Sequence, residues 1–513
     1  MKNKIILTLI LLLSLFLRFY KLGSLPNAYT PDEVAQGYTA YSILKTGKDE
    51  WGSRNWLTLK SFGDYKPPLQ TLFMIPSIKI FGLTPFAIRF PNALLSIFTV
   101  LLAYLIAKKL FNVESISLLS AFLVSVSPHL LPMSRIALEA NILVFLTSLG
   151  TYLFFTNLPL SAIAFGLTLF TYHSAKVFVP VLIIALFIYT KKFNKTFLVI
   201  FSLFLAILIL NNKGVRMGDI AITHPTDNWQ GLSSDQYQMR QNGSPKLITR
   251  LLNNKLTYVG KVFAQNYFSY LSPQFLATTG AGETTYGMLP GFGIVSYIGT
   301  LGILYTIYIV IKKKPSRQLK LLFFLLLFAP CIPALAKGTY SANRISILAP
   351  FIQIICAYGL IALLNNKYLK ILITLLLFFE SAYFFQTYFY RANQILADGM
   401  LFGHKEAIGY VKQLPEKTII YSRKLSEPQA YVAFFNQIDP SITQKDFAQI
   451  KQDFTFLDQV GEYKLANYIF KNIDFVRDSQ IPNVVLVGKT DEIPNDKVTL
   501  FVQDKIAIFY ETK

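Results

Sequence analysis

The sequence predicts an α-helical polytopic membrane protein with about eleven transmembrane helices and a small extracytoplasmic α/β domain at its C-terminal end. Three observations predict it. Of the 513 residues 53% are hydrophobic and only 15% charged, with a mean hydropathy of +0.43. Apolar runs close to the roughly 20 residues needed to cross a bilayer recur over residues 1–390. Beyond residue 390 that pattern stops, and short β-type alternations take turns with helical patterns.

The formal charge of +21 raises the question of where the excess lies. Residues 1–390 carry 34 Lys and Arg against 12 Asp and Glu, whereas residues 391–513 carry 15 against 16. The excess belongs to the membrane part, where topology and anionic lipid explain it and no nucleic-acid partner is implied. Cys331 and Cys356 both lie in apolar segments, which offers neither a disulfide framework nor a cysteine-based metal site.

Lys2 and Lys4 precede an apolar run over 5–17, and Arg18-Phe19-Tyr20-Lys21 follows in place of a small-residue cleavage site. This predicts an uncleaved first span with its N-terminus in the cytoplasm. Residues 21–68 are then extracytoplasmic. The run at 69–81 is short and contains Pro76 and Lys79, which predicts an interfacial helix. Further spans are expected near 88–107, 116–132, 136–156, 158–173, 177–190, 196–211, 289–311, 319–336, 344–364 and 368–389. Lys108-Lys109, Lys191-Lys192, Lys312-Lys313-Lys314 and Lys367 with Lys370 all follow even-numbered crossings, as the positive-inside bias requires. The loops 21–68 and 212–288 and the domain 391–513 therefore face outward. In that domain helices are expected over 404–414 and 427–436, and strands within 418–421, 484–487 and 498–510. The composition suits a bacterial plasma membrane.

Chemistry is expected at the outer ends of the spans. Lys66, Lys79, Arg89, Arg135, Lys176 and Arg344 are all expected there, where that bias predicts few cations. Each alone could be snorkelling to headgroups. Converging at one level, they point to a bound anion such as a lipid phosphate. Carboxylates at membrane depth are costly and mark function, here Asp32, Glu33, Asp64, Glu139 and Glu380. Asp32 could instead cap a helix over 34–44. Glu139 lies four residues after Arg135, where a helical i, i+4 pair would satisfy both charges. Pro67-Pro68 holds Lys66 extended at the start of the interfacial helix. No histidine pair has metal-ligand spacing, and there is neither a P-loop nor a dinucleotide glycine pattern.

Pro31-Asp32-Glu33, Gly63-Asp64-Tyr65-Lys66-Pro67-Pro68-Leu69, Ile88-Arg89-Phe90-Pro91-Asn92 and Ser134-Arg135-Ile136-Ala137-Leu138-Glu139 together resemble the GT-C membrane glycosyltransferases. The resemblance is to the protein O-mannosyltransferase and aminoarabinose (lipid A) transferase branch, and it is clearest over residues 1–190. It implies transfer of a sugar, with inversion, from a polyprenyl-phosphate carrier to a lipid, glycan or protein acceptor at the outer face. Asp32 is then the implied general base, with Glu33 beside it. Lys66 matches the phosphate-contacting lysine of the aminoarabinose transferases, where the mannosyltransferases usually carry histidine. Arg89, Arg135, Lys176 and Arg344 are the further expected phosphate contacts, and Asp64, Tyr65 and Glu139 the expected substrate contacts. The mannosyltransferase acid stands one residue further from the arginine and is Asp, not Glu. Residues 212–288 are too few for the β-trefoil of that family. No nucleotide or ATP is required, and the one cofactor the carboxylates would admit is a divalent cation between Asp32 and Glu139. Two other classes compete: a polymerase or ligase of lipid-linked polysaccharide, expected to carry its key cations in a large late loop, and a transporter, expected to show repeated halves.

Overall fold

The computed structural model describes residues 1–60, 65–211, 221–338, 340–364, 366–414, 418–450, 461–502 and 505–510. Its first half is a run of ten helices and one short hairpin. They are α1 Lys2–Phe19, α2 Pro31–Thr46, α3 Leu69–Phe81, α4 Pro85–Phe111, α5 Glu114–Ser125, α6 Leu130–Ser134, α7 Glu139–Phe154, α8 Leu158–Thr168, α9 Ala175–Thr190 and α10 Lys195–Asn211. The hairpin pairs β1 Leu59–Lys60 with β2 Tyr65–Lys66, Leu59 opposite Lys66. Helices Tyr297–Lys312, Arg317–Phe328, Ala349–Leu363 and Lys367–Ile395 complete the bundle. Each of the eleven expected spans thus coincides with a helix or a broken helix. Among the described residues four helical stretches, Pro85–Phe111, Arg317–Ala334, Ala342–Leu363 and Lys367–Ile395, are long and apolar enough, by length and composition, to cross a membrane. The expected interfacial segment is the 13-residue α3, with Pro76 inside it.

Local chemistry sets the boundaries near the site. Thr30 caps α2, accepting from the Glu33 amide at 3.1 Å while the Glu33 carboxylate accepts from the Thr30 amide at 3.2 Å. Pro31 occupies the first turn, where no amide is needed, and Gly47 ends the helix at φ +72°. The cap is therefore Thr30, and the alternative in which Asp32 caps this helix is excluded. Tyr297–Lys312 packs on Ala349–Leu363 through Gly302 and Gly359, neither of which has room for a Cβ. Small residues at such a crossing let two backbones approach closely.

Beyond Ile395 the chain forms a six-stranded mixed sheet in the order β4-β5-β3-β6-β8-β7. Its strands are β3 Thr418–Ser422, β4 Tyr463–Leu465, β5 Tyr468–Lys471, β6 Val484–Lys489, β7 Leu500–Val502 and β8 Ile506–Tyr510. β3 lies parallel to both β5 and β6, and the other pairs are antiparallel. The expected strands and the helices His404–Val411 and Pro428–Phe435 are present, while β4, β5 and the helix Pro440–Ala448 are additional.

The domain packs directly on α2. One hydrophobic cluster runs from Val34 and Tyr38 through Ile88 to Tyr431, Phe434 and Val485. The Tyr38 hydroxyl donates to the Ile438 carbonyl at 2.8 Å, and that of Tyr431 to the Tyr29 carbonyl at 2.7 Å. Gly37 is required at this crossing, because a Cβ there would stand 2.7 Å from Ile88 and 3.0 Å from Phe434.

Candidate active site

One end of the bundle gathers α2, β2, the break between α6 and α7, and the loop before Tyr297. Helical phase sends the adjacent carboxylates of α2 in different directions. Glu33 is wholly buried. Its carboxylate accepts from Arg89 Nε at 2.9 Å, Arg89 Nη2 at 3.2 Å and the Ala137 amide at 3.0 Å, besides the Thr30 amide. Arg89 is equally buried and gives its remaining donors to the carbonyls of Pro26 at 2.7 Å, Ala28 at 2.9 Å and Leu22 at 3.4 Å. Its guanidinium stands 4.7 Å over the Tyr29 ring. Both residues are used up in folding the 22–33 turn, which corrects the expectations of Glu33 as a catalytic acid and Arg89 as a phosphate contact.

Arg135 has a similar fate. Its guanidinium donates to the carbonyls of Leu17 at 2.7 Å, Arg18 at 2.9 Å, Tyr20 at 2.7 Å and Leu25 at 3.1 Å, closing the C-terminal end of α1. A cation at that end satisfies exposed carbonyls and the helix dipole together. It is therefore not placed as a phosphate contact, and the expected Arg135–Glu139 helical pair is not formed. The chain breaks at 135–138, where Asn92 Nδ2 donates to the carbonyls of Ile136 at 2.8 Å and Leu138 at 3.0 Å. Glu139 instead opens α7 and accepts from Gln36 Nε2 at 2.9 Å. Glu380, also expected to be functional, caps the helix Tyr297–Lys312 by accepting from the Tyr297 and Ile298 amides.

Asp32 differs from all of these. Its carboxylate is 2.7 Å from Lys66 Nζ, with the aspartate side chain 28% exposed and the lysine 10%. β2 places Lys66 here, and Tyr65, half-buried, precedes it on the opposite face of the strand. Glu139 lies within electrostatic reach of Lys66 and Asp32. Tyr286 comes from the loop before Tyr297 and interacts with Asp32, Glu283, Lys66 and Glu139. Glu283 accepts from the Ala342 amide at 2.8 Å and interacts with Arg344, so it joins this loop to the segment that carries Arg344. Burial pushes the Glu283 carboxyl and the Tyr286 hydroxyl above their ordinary values. Arg344 is partly buried and donates to the Lys337 carbonyl at 2.9 Å. Lys176 is half-buried in the first turn of α9. Asp64 lies outside the described residues.

Asp32, Lys66 and Glu139 thus form one charged cluster, which Arg344 joins through Glu283, and three residues belong to it that the sequence did not single out. Gln36 follows Asp32 by four residues on the same helical face, a spacing that would have found it. Glu283 is the sole carboxylate between Asp235 and Glu380, a second usable signal. Tyr286 had none. The Lys66 ammonium already neutralises Asp32, and no cluster of three or more His, Cys, Asp or Glu is gathered among the described residues.

Apolar helices with charged residues gathered at one end, and a small α/β domain packed on α2, make up the fold. Two solved structures share it over almost the whole chain. ArnT from Cupriavidus metallidurans bound to undecaprenyl phosphate superposes with a TM-score of 0.58 at 11% identity, covering 98% of this chain and 97% of that one. The apo state of the same protein gives a TM-score of 0.54 at 11% identity with the same coverage. In sequence, the model of the dolichyl-phosphate-mannose-protein mannosyltransferase family matches residues 8–215. Over residues 8–215 the chain is thus similar in sequence to that family, and over nearly its whole length it shares the fold of ArnT. An uncharacterised protein of Aquifex aeolicus (strain VF5) is 32% identical over 159 residues, a match that spans 30% of this chain and 30% of that protein.

Proposed function

We propose that the protein transfers a sugar, with inversion, from a polyprenyl-phosphate carrier to an acceptor at the outer face of the membrane. The observation that carries this reading is the Asp32–Lys66 pair: a carboxylate and an ammonium in contact, the carboxylate still partly exposed, at the end of an apolar bundle. Asp32 takes the proton of the acceptor hydroxyl. The acceptor oxygen attacks the anomeric carbon from the side opposite the phosphate, and the bond from that carbon to the phosphate oxygen breaks. The charge gathering on the leaving phosphate is met by Lys66, with Arg344 and Lys176 as the further cations. Glu139, oriented by Gln36, belongs to the same charged cluster and is assigned to the sugar, as is Tyr286. No metal step is needed.

The family model over residues 8–215 supports glycosyl transfer. The ArnT structure with undecaprenyl phosphate makes a carrier-linked donor the natural candidate. Asp32→Asn removes the base while keeping shape. Turnover per folded molecule should fall by about 10²–10⁴-fold, and mass spectrometry of membranes carrying the variant should show the unused carrier-linked sugar accumulating. Undiminished turnover would remove Asp32 from the mechanism.

A further inference from the structure

The chain leaves α10 at Asn211, whose carbonyl accepts from Thr58 Oγ1 in the loop before β1 at 3.0 Å, and residues 221–270 fold into the helices Gln230–Gln241, Lys246–Leu252 and Lys255–Tyr270. The last is tied to the ends of the membrane helices. Asn266 Nδ2 donates to the carbonyls of Ala334 and Ala336, both at 3.2 Å, and the Tyr267 hydroxyl to that of Leu327 at 2.9 Å. The segment is thereby held where the apolar bundle gives way to water.

Its polarity is inverted relative to a soluble helix. In Lys246–Leu252 the residue turned inward is Thr249, fully buried and bonded to Ser244 and the Pro245 carbonyl. Leu247, Leu251, Leu252 and, just beyond, Leu256 point out and are 61–81% exposed. Leu327, Leu335 and Phe268, on and beside the adjoining membrane helix, carry the exposed apolar surface onward. Charge is equally one-sided: between Asp235 and Glu283 the sequence has no carboxylate, but it has Arg240, Lys246, Arg250, Lys255 and Lys261, all exposed.

An apolar face with a basic rim, continuous with the bundle surface, fits one occupant. We propose that residues 246–256 lie in the headgroup layer as an in-plane anchor that binds anionic phospholipid, with the leucines in the acyl boundary and the cations on the phosphates. A soluble acidic partner would satisfy the cations and leave the leucines wet. The inference does not depend on the sugar-transfer reading.

The test uses full-length protein with Cys331→Ala and Cys356→Ala, carrying one spin label at a time through Leu251→Cys, Leu256→Cys, Gln238→Cys or Asn242→Cys. Each is reconstituted in nanodiscs of neutral phosphatidylcholine or of a mixture with phosphatidylglycerol. Labels at 251 and 256 should be more accessible to oxygen than to a nickel chelate, and deeper in the anionic discs, while those at 238 and 242 stay aqueous. Lys246→Gln with Arg250→Gln and Lys255→Gln should abolish the difference between the two lipids. Aqueous labels at 251 and 256 in both discs overturn the proposal. So do labels shielded from both reagents, which would mean that protein, a second copy included, covers the face.

Discussion

Asp32 and Glu33 are neighbours in sequence with the same functional group, and the fold gives them opposite tasks. Glu33 turns into the core and meets a guanidinium, whose planar fork fills the carboxylate with two hydrogen bonds while its other donors reach carbonyls of the 22–28 turn. Asp32 stays partly exposed and meets an ammonium, a point charge on a flexible stem that can move to another anion. Arginine fixes and lysine lends. The same contrast separates Arg135, spent on four carbonyls, from Lys66.

The widest test of this contrast is to remove each negative charge in turn. Asp32→Asn should leave folding intact and cost the 10²–10⁴-fold in turnover stated above. Glu33→Gln should do the reverse, because it leaves the Arg89 charge buried without a counterion. A loss of about 3–5 kcal/mol is expected for such a break, measured as thermal or denaturant stability in detergent. If Glu33→Gln folds normally and loses only turnover, the division of labour is wrong.

Lys66→Met keeps the length of the stem and removes the charge. Donor affinity, read by titration with polyprenyl phosphate, should fall by roughly 10–100-fold, the scale of a charge-assisted hydrogen bond of about 1.5–3 kcal/mol. Unchanged affinity would leave Lys66 as a partner of Asp32 alone.

Why one carboxylate could be told from the other only in part follows from the range of the forces. The spans and their charge bias are properties of 20-residue windows, so the bundle was legible. Asp32 and Lys66 were legible too, because a carboxylate before a helix and a lysine fixed by Pro67-Pro68 are local features. The Glu33–Arg89 pair joins positions 56 residues apart, and no periodicity reports it. Arg135 and Glu139 were read as one helical face because the break at 135–138 depends on Asn92, a residue on another helix. β4 and β5 are three and four residues long, too short for alternation to stand out.

The buried side of the comparison is braced by the C-terminal domain, which makes it sensitive to pH. His404 stacks on Tyr431 with ring centroids 4.0 Å apart, and its Nδ1 is 2.9 Å from the Tyr421 hydroxyl. Burial lowers its pKa from 6.5 to about 3. Between these values the unfolded chain takes up a proton that the fold refuses, so stability is complete above 6.5 and declines as pH falls through the window. At pH 5.5 this amounts to about 1.4 kcal/mol relative to pH 7.5, and His404→Phe should flatten that slope. An unchanged slope would place the titration elsewhere.

The smallest expected effect asks whether the two sides communicate. The Tyr431 hydroxyl holds the Tyr29 carbonyl, one residue before the cap of α2. Tyr431→Phe deletes that bond and little else, so stability should drop by about 1 kcal/mol. If α2 transmits the loss, Asp32 sits less well against Lys66, and a carboxylate less stabilised by its cation titrates at higher pH. The acid limb of the turnover profile would then move upward while donor affinity stays the same. A variant that loses the stability but keeps the profile would show that the domain supports Glu33 without reaching Asp32.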